Sequence, residues 1–372
     1  MFGRREFLGG SAAGLAGLFL PGCRLFDPRR PAFGPEVRAE ALRQLADGLF
    51  CGAAAGCVDC AERVYVGRQG LTDESAPVDE LTRFDLASLT KLVTASVCAT
   101  LVTEGRLDPD APFTRYFPEH VLGEACPITV RDLATHASGF GNFSGARYSE
   151  NPAVHGGVAA LEDELRSKKP AKPRGTYCYS CYNYVLLGTI AERVGGKPLD
   201  RLAAERVFGP LGMTRARWCP VPDDGHVVST PIPMHDGRLC PPGVVHDEIA
   251  RHIGRPVGNA GVFATLPDLL RLADDLLNRR AFPKEHYDLL FTGTFAREDV
   301  CRSFGFDLSD DGRPAGFSPR SIRHTGFTGQ IFLVDPDLAF AGIVLTTRRP
   351  DAKNTLAARH RLLVAMNGRE TS

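Results

Sequence analysis

The stretch SLTK places a serine and a lysine three residues apart, Ser88 and Lys91. It opens a long apolar segment with helical spacing, so both side chains project from the same face of a helix. In a Ser-x-x-Lys pair an amine can take the proton of a serine hydroxyl without a histidine, and the helix N-terminus favours the developing negative charge. A lysine that acts as a base needs a pKa well below about 10.4, through burial or a nearby cation.

Two further segments carry groups that suit the same chemistry. Tyr179 begins YSCYNYVLLG, 179–188, on a loop just before a helix pattern, where a phenol near an ammonium can shuttle protons. HTGFTG, 324–329, lies on a predicted strand, and Gly326 lets a substrate backbone approach closely. Chance alone gives roughly 0.3 Ser-x-x-Lys matches for 15 serines and 7 lysines in 372 residues, so the serine motif depends on these partners.

The three motifs follow the chain order of the penicillin-recognising serine enzymes. From about residue 45 to 366 the sequence resembles the β-lactamase-related serine hydrolases, the family of class C β-lactamases, DD-peptidases and related esterases. VVHDEIAR followed by GNAGVFAT is similar to a branch with DD-carboxypeptidases and esterase-like members. The other stretches that carry the resemblance are FDLASLTK, TEGRLDPDAPFTRYFPEH, ITVRDLATHASGF, NYVLLGTIAERVGGKPLD, GPLGMT, NAGVFATLPDLLRLADDLLN and RHTGFTGQIFLVDPD.

The resemblance implies a role for each motif residue. Ser88 would be the acylated nucleophile and Lys91 its general base or proton partner. Tyr179 would activate the nucleophile or the deacylating water and donate to the leaving group. The backbone N–H groups of Ser88 and Phe327 would form the oxyanion hole. No metal or cofactor is implied.

The HTG motif, His324, Thr325 and Gly326, would border the substrate, and its first residue departs from the family pattern. His324 stands where many relatives have lysine. A neutral imidazole can hold the tyrosine by hydrogen bonds but offers less fixed positive charge. This disfavours substrates recognised through a carboxylate, penicillins included, and favours esters or other amides.

Cys181 is the second departure, because related proteins have Asn or Asp at this position to contact the substrate amide and the catalytic lysine. A thiol is a weak donor and acceptor, so one polar contact to Lys91 is weakened. The pairs Cys57/Cys60 and Cys178/Cys181 formally resemble a four-cysteine zinc site. For Cys181 a free buried thiol is favoured over a disulfide and over zinc ligation.

Two histidine-containing stretches near these motifs have plainer interpretations. The neighbours His246 and Asp247 suggest a metal pair, but a structural hydrogen-bonding role is favoured. His136, in THASGF, is expected to brace the loop beside the site.

The elements around the motifs predict an α+β fold. Helical spacing covers 37–50, two short strands joined by a polar turn cover 51–70, and FDLASLTKLVTASVCATLVTEGRL, 84–107, reads as a helix that stops at Gly105. Mostly helical segments follow to about 300. SFGFDL, RSIRHTGFTGQIFLVD and AFAGIVLTT then predict strands, and NTLAARHRLLVAMN a final helix. Strands at both chain ends imply one antiparallel sheet built from both ends, flanked by helices, with a large helical insert.

The N-terminus predicts export. Arg4-Arg5, an apolar run too short to span a bilayer and a lipobox-like LPGC ending at Cys23 resemble a twin-arginine signal peptide with lipidation. We therefore divide the chain into a signal peptide, 1–23, a Pro- and Arg-rich tether, 24–36, and one hydrolase domain, 37–368. The expected location is the periplasm or its membrane surface.

Composition limits the classes of function. Hydrophobic content of 43% suits a globular core, and zero formal net charge gives no nucleic-acid footprint. An active serine hydrolase on a small-molecule or peptidoglycan-derived substrate is favoured. The alternative is a weakened or inactive lipoprotein that binds cell-wall fragments or a partner, and the oligomeric state stays open.

Overall fold

The computed structural model describes residues 34–60, 62–72, 74–143, 156–234 and 236–368. The predicted signal peptide, 1–23, with Cys23, and residues 24–33 of the predicted tether lie outside the described residues. The first helix begins at Gly34, so the last three residues of the predicted tether belong to this helix instead.

A five-stranded antiparallel sheet has the order β2-β1-β10-β9-β8 and confirms the prediction of one sheet from both chain ends. β1 pairs with β10 in its centre. Two smaller sheets have the orders β3-β5-β4 and β6-β7. The strands are β1 (Phe50–Cys57), β2 (Val64–Gly67), β3 (Phe84–Asp85), β4 (Arg217–Trp218), β5 (Val262–Ala264), β6 (Phe295–Arg297), β7 (Val300–Arg302), β8 (Ile322–Gly326), β9 (Gln330–Asp335) and β10 (Phe340–Arg348).

Helices cover both faces of the sheet and form the predicted insert between β2 and β8. A π-helical turn, Ala204–Phe208, joins the sixth and seventh helices. The helices are α1 (Gly34–Ala46), α2 (Thr90–Thr103), α3 (Val130–Ala134), α4 (Gly157–Ser167), α5 (Cys181–Gly195), α6 (Leu199–Ala203), α7 (Gly209–Leu211), α8 (Glu248–Ile253), α9 (Leu266–Asn278), α10 (Lys284–Phe291) and α11 (Thr355–Asn367).

Two hydrophobic clusters hold these layers together. The smaller lies between the sheet and the pair α1 and α11, and includes Val37, Ile331 and Leu362. The larger joins the opposite sheet face to α9, α2 and α5. Twelve of the 14 residues of α2 are buried, so this helix runs through the centre of the domain. Burial on all sides fixes the helix and the side chains at its start.

Two predicted elements differ in the structure. The helix pattern of 84–107 begins only at Thr90, because Phe84–Asp85 pairs with β5 and a 3₁₀ turn, Ala87–Leu89, precedes the helix. SFGFDL, 303–308, is wrong as a strand: within it only Asp307 makes isolated bridges, to Arg302 and Arg323.

The predicted hairpin at 51–70 is confirmed, with β1 and β2 antiparallel. A disulfide joins Cys57 at the end of β1 to Cys60 in the turn, with the two Cα atoms 5.4 Å apart. Within the residues that the structure describes, no helix combines the length and the apolar character needed to cross a bilayer.

Candidate active site

Ser88 lies in the tight turn between β3 and α2. Ala87 adopts a left-handed conformation, φ 45°, which is unfavourable for a residue with a Cβ. The buried carboxylate of Asp85 supports this turn, because its Oδ1 accepts the Ala87 N–H at 2.9 Å. Burial raises the pKa of Asp85 to about 6, although the backbone N–H groups of His246 and Ala87 lower it. The sequence prediction missed Asp85, which FDLASLTK contains.

Ser88, Lys91 and Tyr179 come together as predicted. The Tyr179 hydroxyl donates to Ser88 Oγ at 2.9 Å, and Lys91 Nζ donates to the same oxygen at 3.0 Å. Ser88 is half-buried and Lys91 is fully buried, while Tyr179 is 40% exposed. A hydroxyl oxygen that accepts two such bonds is prepared to carry negative charge.

Lys91 has three acceptors, which matches the three protons of an ammonium group. Besides Ser88, its Nζ donates to the Asn259 carbonyl oxygen at 3.0 Å and to Cys181 Sγ at 3.8 Å. Burial opposes the positive charge, but attraction to Cys181 and Tyr179 outweighs it and raises the pKa of Lys91. The resting lysine is therefore an ammonium, and its surroundings do not provide the lowered pKa that a lysine base requires.

His136 braces the tyrosine loop, as predicted. Its carbonyl oxygen accepts the Cys178 N–H at 2.9 Å, and its ring Nδ1 accepts the Ser180 N–H at 3.3 Å. The His136 and Tyr179 ring centroids lie 4.5 Å apart. Burial, with the charges of Arg302 and Lys91, holds the pKa of His136 well below its usual range. A neutral imidazole thus packs against the phenol from behind.

Cys181, the first residue of α5, lines the cleft as a free buried thiol. Its contact with Lys91, 3.8 Å from Nζ to Sγ, is the weak one that the sequence predicted. The four-cysteine zinc hypothesis is wrong, because Cys57 and Cys60 are bonded to each other. Among the described residues, no three His, Cys, Asp or Glu side chains are grouped to hold a metal ion.

His324 on β8 does not hold the tyrosine by a hydrogen bond. Its Nδ1 donates to the Thr325 carbonyl oxygen at 2.9 Å, and its ring centroid lies 6.3 Å from that of Tyr179. Burial, with the charges of Arg302 and Lys91, holds the pKa of His324 well below its usual range. The imidazole is neutral, so the motif supplies no positive charge where many relatives have lysine.

The absence of a side chain at Gly326 lets strand β8 pack closely against the turn that holds Ser88, whereas the sequence predicted a close approach of the substrate backbone. A Cβ at this position would lie 2.8 Å from the Leu86 carbonyl oxygen. The Thr328 hydroxyl also donates to the Asp85 carbonyl oxygen, at 2.9 Å. The end of β8 is therefore fixed against the strand that precedes Ser88. Thr325 is exposed beside it, and Phe327, which follows β8, is 57% exposed.

A cleft of about 480 Å³ opens in front of Ser88. The resemblance did not point to the segment that holds Ile232 and Pro233, nor to Asn142, whose side chain accepts the Cys181 N–H at 3.0 Å. No special residue pattern marked them. The lining residues are Ala87, Ser88, Asn142, Tyr179, Cys181, Ile232, Pro233, His246, Asp247, Glu248, Ala260, Phe327 and Thr328.

His246 and Asp247 have the structural hydrogen bonds that were favoured over metal binding. The His246 N–H donates to Asp85 Oδ2 at 2.8 Å, and Asp247 Oδ1 accepts the Ala250 N–H at 2.9 Å as the N-cap of α8. The His246 ring lies 5.5 Å from that of Phe327. Both residues also line the cleft, a position that the sequence did not predict.

Comparisons with known proteins identify relatives of this chain. "Putative D-alanyl-D-alanine carboxypeptidase" of Escherichia coli (strain K12) is 28% identical over 310 residues, 72% of this chain and 69% of that protein. "Esterase EstB" of Burkholderia gladioli is 29% identical over 272 residues, 65% of this chain and 69% of that protein.

Solved structures share the fold. "EstCE1, a hydrolase with promiscuous acyltransferase activity" superposes with a TM-score of 0.74 at 17% identity, covering 90% of this chain and 98% of that one. The octameric penicillin-binding protein homologue from Pyrococcus abyssi has a TM-score of 0.68 at 21% identity, covering 90% and 78%. The model of the family described as Beta-lactamase matches residues 39–366. The chain therefore belongs to the beta-lactamase family and is a serine hydrolase.

Proposed function

We propose that this protein is an exported hydrolase that cleaves an ester or amide through an acyl-enzyme on Ser88. The observation that carries the proposal is the placement of both Tyr179 Oη and Lys91 Nζ within 3.0 Å of Ser88 Oγ. Such an arrangement can remove the serine proton and stabilise the oxygen that remains.

In the proposed reaction, the Tyr179 hydroxyl, which donates to Ser88 Oγ in the resting site, first releases its proton to solvent. Ser88 Oγ then attacks the acyl carbon while its own proton passes to the Tyr179 oxygen. The Lys91 ammonium stays charged and compensates the negative charge on the phenol oxygen. The backbone N–H groups of Ser88 and Phe327 receive the carbonyl oxygen. Tyr179 then gives its proton to the leaving alcohol or amine, and water attacks the acyl-enzyme by the same steps in reverse.

The cleft supports esters or amides without a carboxylate. Among the described residues that line the cleft, Asp247 and Glu248 have acidic side chains and none is a lysine or an arginine. His324 adds no charge, because its pKa is held well below the usual range by burial and nearby cations. A carboxylate-bearing D-Ala-D-Ala peptide or penicillin would meet repulsion without a compensating cation.

Export is part of the proposal. The twin-arginine and lipobox-like patterns before and at Cys23 support it, with a membrane anchor through that residue. The Cys57–Cys60 disulfide suits an oxidising compartment. A test compares the cellular fraction and lipid labelling of the wild type with those of Arg4→Lys/Arg5→Lys and Cys23→Ala.

A weakened lipoprotein that binds cell-wall fragments is the competing function. The observation in its favour is the 3.8 Å contact of Cys181 with Lys91, where related proteins have an amide or a carboxylate. A thiol there weakens the hydrogen bonding of the lysine. This alternative predicts binding without turnover.

The test compares wild type with Ser88→Ala on short-chain p-nitrophenyl esters, nitrocefin and D-Ala-D-Ala peptides, with a fluorophosphonate probe as an active-site label. We expect ester turnover and labelling in the wild type, and a loss of about 10³-fold or more in Ser88→Ala. Ser96→Ala is the matched control, because Ser96 lies on the same helix and only donates to the Leu92 carbonyl oxygen. Equal rates and labelling for wild type and Ser88→Ala would exclude the proposed hydrolase.

A further inference from the structure

The segment His246–Glu248, which we call the acidic wall, gives the cleft a charge that the reaction itself does not require. It lines the same cleft as Ser88 and Tyr179. Burial lowers the pKa of His246, so this imidazole adds no positive charge. The wall therefore presents two carboxylates and a neutral ring to a bound substrate.

The two carboxylates are used differently. Asp247 is committed to the fold: Oδ1 accepts the Ala250 N–H at 2.9 Å, and Oδ2 accepts from Asn259 Nδ2 at 3.2 Å. Among the described residues, Glu248 makes one ion pair, with 3.7 Å between its Oε1 and Arg251 Nη2. Its Oε2 is buried without a hydrogen-bond partner among the described residues, although the side chain is 12% exposed and lines the cleft. An unpaired buried carboxylate oxygen is costly, and the positive charge of a bound ligand would compensate this cost.

Nearby cations offset the negative charge of the wall only in part, through the ion pair of Arg251 with Glu248. Arg251 Nη1 donates to the carbonyl oxygens of Val245 and His246, at 3.1 and 2.7 Å, and the guanidinium is not among the lining groups. Lys91 is occupied by Ser88, Asn259 and Cys181. Asp85, directly behind the wall, adds a further acid.

We propose that the cleft selects substrates that carry an ammonium group, protonated or quaternary, and that Glu248 is the residue that determines this specificity. The inference deepens the proposed hydrolysis and rests on it. In a partly desolvated cleft, attraction between a carboxylate and an ammonium exceeds that in bulk water. The same charge repels substrate carboxylates.

The test uses two pairs of isosteric thioesters with thiol release as the readout. In the first pair the charge is on the leaving group: acetylthiocholine against its uncharged isostere S-(3,3-dimethylbutyl) thioacetate. In the second it is on the acyl group: a 4-(trimethylammonio)butanoyl thioester against the 5,5-dimethylhexanoyl thioester. We expect the wild type to prefer the cation in at least one pair by about 10-fold in kcat/KM, or about 1.4 kcal/mol.

Glu248→Gln keeps the shape of the side chain and should bring that preference below about 2-fold, whereas Glu248→Lys should reverse it. Glu285→Gln is the matched control, since Glu285 is an exposed acid in the first turn of another helix, α10. It should keep the preference of the wild type.

The two proposals fail in different ways. If the wild type hydrolyses the uncharged thioesters through Ser88 but prefers them in both pairs, the specificity inference is overturned and the hydrolase stands. A cation preference that persists in Glu248→Gln also overturns it. If no thioester is hydrolysed faster by the wild type than by Ser88→Ala, the hydrolase proposal itself fails.

Discussion

Hydrogen-bond pairing differs between two parts of the cleft, the reacting pair Ser88 and Lys91, which we call the paired side, and the acidic wall. Around Ser88, the Lys91 ammonium has three acceptors and Ser88 Oγ accepts two hydrogen bonds. On the acidic wall, His246 Nε2 and Glu248 Oε2 are buried without partners among the described residues. Buried polar groups normally find partners, so the difference teaches that Ser88 and Lys91 are fully paired before substrate binds and the wall is not. Beside Tyr179, His136 Nε2 and His324 Nε2 are also buried without partners among the described residues, so the contrast holds for the reacting pair itself.

The elements behind each side explain the contrast. Lys91 lies at the start of α2, whose first twelve residues are buried, and the half-buried Ser88 lies in the 3₁₀ turn just before this helix. The acidic wall lies where irregular segments, 219–234 and 236–247, lead into the short helix α8. Loops of this kind vary without disturbing the core, so specificity is more easily changed in the wall than in the reacting groups.

The largest effect on the paired side is expected from Tyr179→Phe. It removes the hydroxyl that lies 2.9 Å from Ser88 Oγ while keeping the ring that packs on His136. We expect ester kcat to fall by about 10²- to 10³-fold, because the variant has no group to exchange the serine proton. Steady-state kinetics with p-nitrophenyl esters measures this. Tyr177→Phe, on the same loop, should stay within about 3-fold of the wild type; equal losses in both variants would assign the effect to loop packing.

Asp85 connects the two sides, since its oxygens accept the Ala87 and His246 N–H groups. Burial raises its pKa to about 6 from the ordinary value of 3.8. Between pH 4 and 6 the folded protein holds a proton that the unfolded chain has lost. The contribution of Asp85 to the free energy of unfolding therefore falls by about 3 kcal/mol as the pH rises through this window.

Asp85→Asn does not titrate and isolates this contribution. The wild-type free energy of unfolding, minus that of the variant, should fall by about 3 kcal/mol between pH 4 and pH 7. Urea denaturation of both proteins at each pH measures the difference. Subtracting the two free energies at each pH cancels the contributions of the titratable groups that both proteins share. If the free energies of unfolding of the two proteins changed with pH in parallel, the pKa of Asp85 would not be raised by burial.

The smallest expected effect comes from Cys181→Asn, which adds a stronger partner for Lys91 on the paired side. The weak 3.8 Å contact would be replaced by an amide hydrogen bond, and ester kcat should rise by about 10-fold. Cys178→Asn is the control, because Cys178 is a free cysteine three residues earlier on the same loop. An unchanged or lower rate in Cys181→Asn would mean that the weak contact between the Cys181 thiol and Lys91 does not limit hydrolysis.

The sequence could predict the fold because its signals are local or periodic. β1 with β2 and β8 to β10 follow from apolar strand patterns at the chain ends, and the order of the motifs indicated the family. SFGFDL resembled a strand by alternation, but its backbone forms only isolated bridges. The start of α2 was misplaced because the pairing of Phe84–Asp85 with β5 depends on a segment nearly 180 residues away.

The sequence by itself determined the residue types at the reacting centre: a serine, a lysine and a tyrosine in a recognisable order, a thiol at 181 and an imidazole at 324. Only the tertiary structure decided their charges and partners. It made Lys91 an ammonium through attraction to Cys181 and Tyr179, which outweighs burial, turned His324 towards the Thr325 carbonyl oxygen, and brought Glu248 into the same cleft as Ser88. Burial and contacts between distant segments set pKa values and pairing, and neither is encoded in the spacing of a motif.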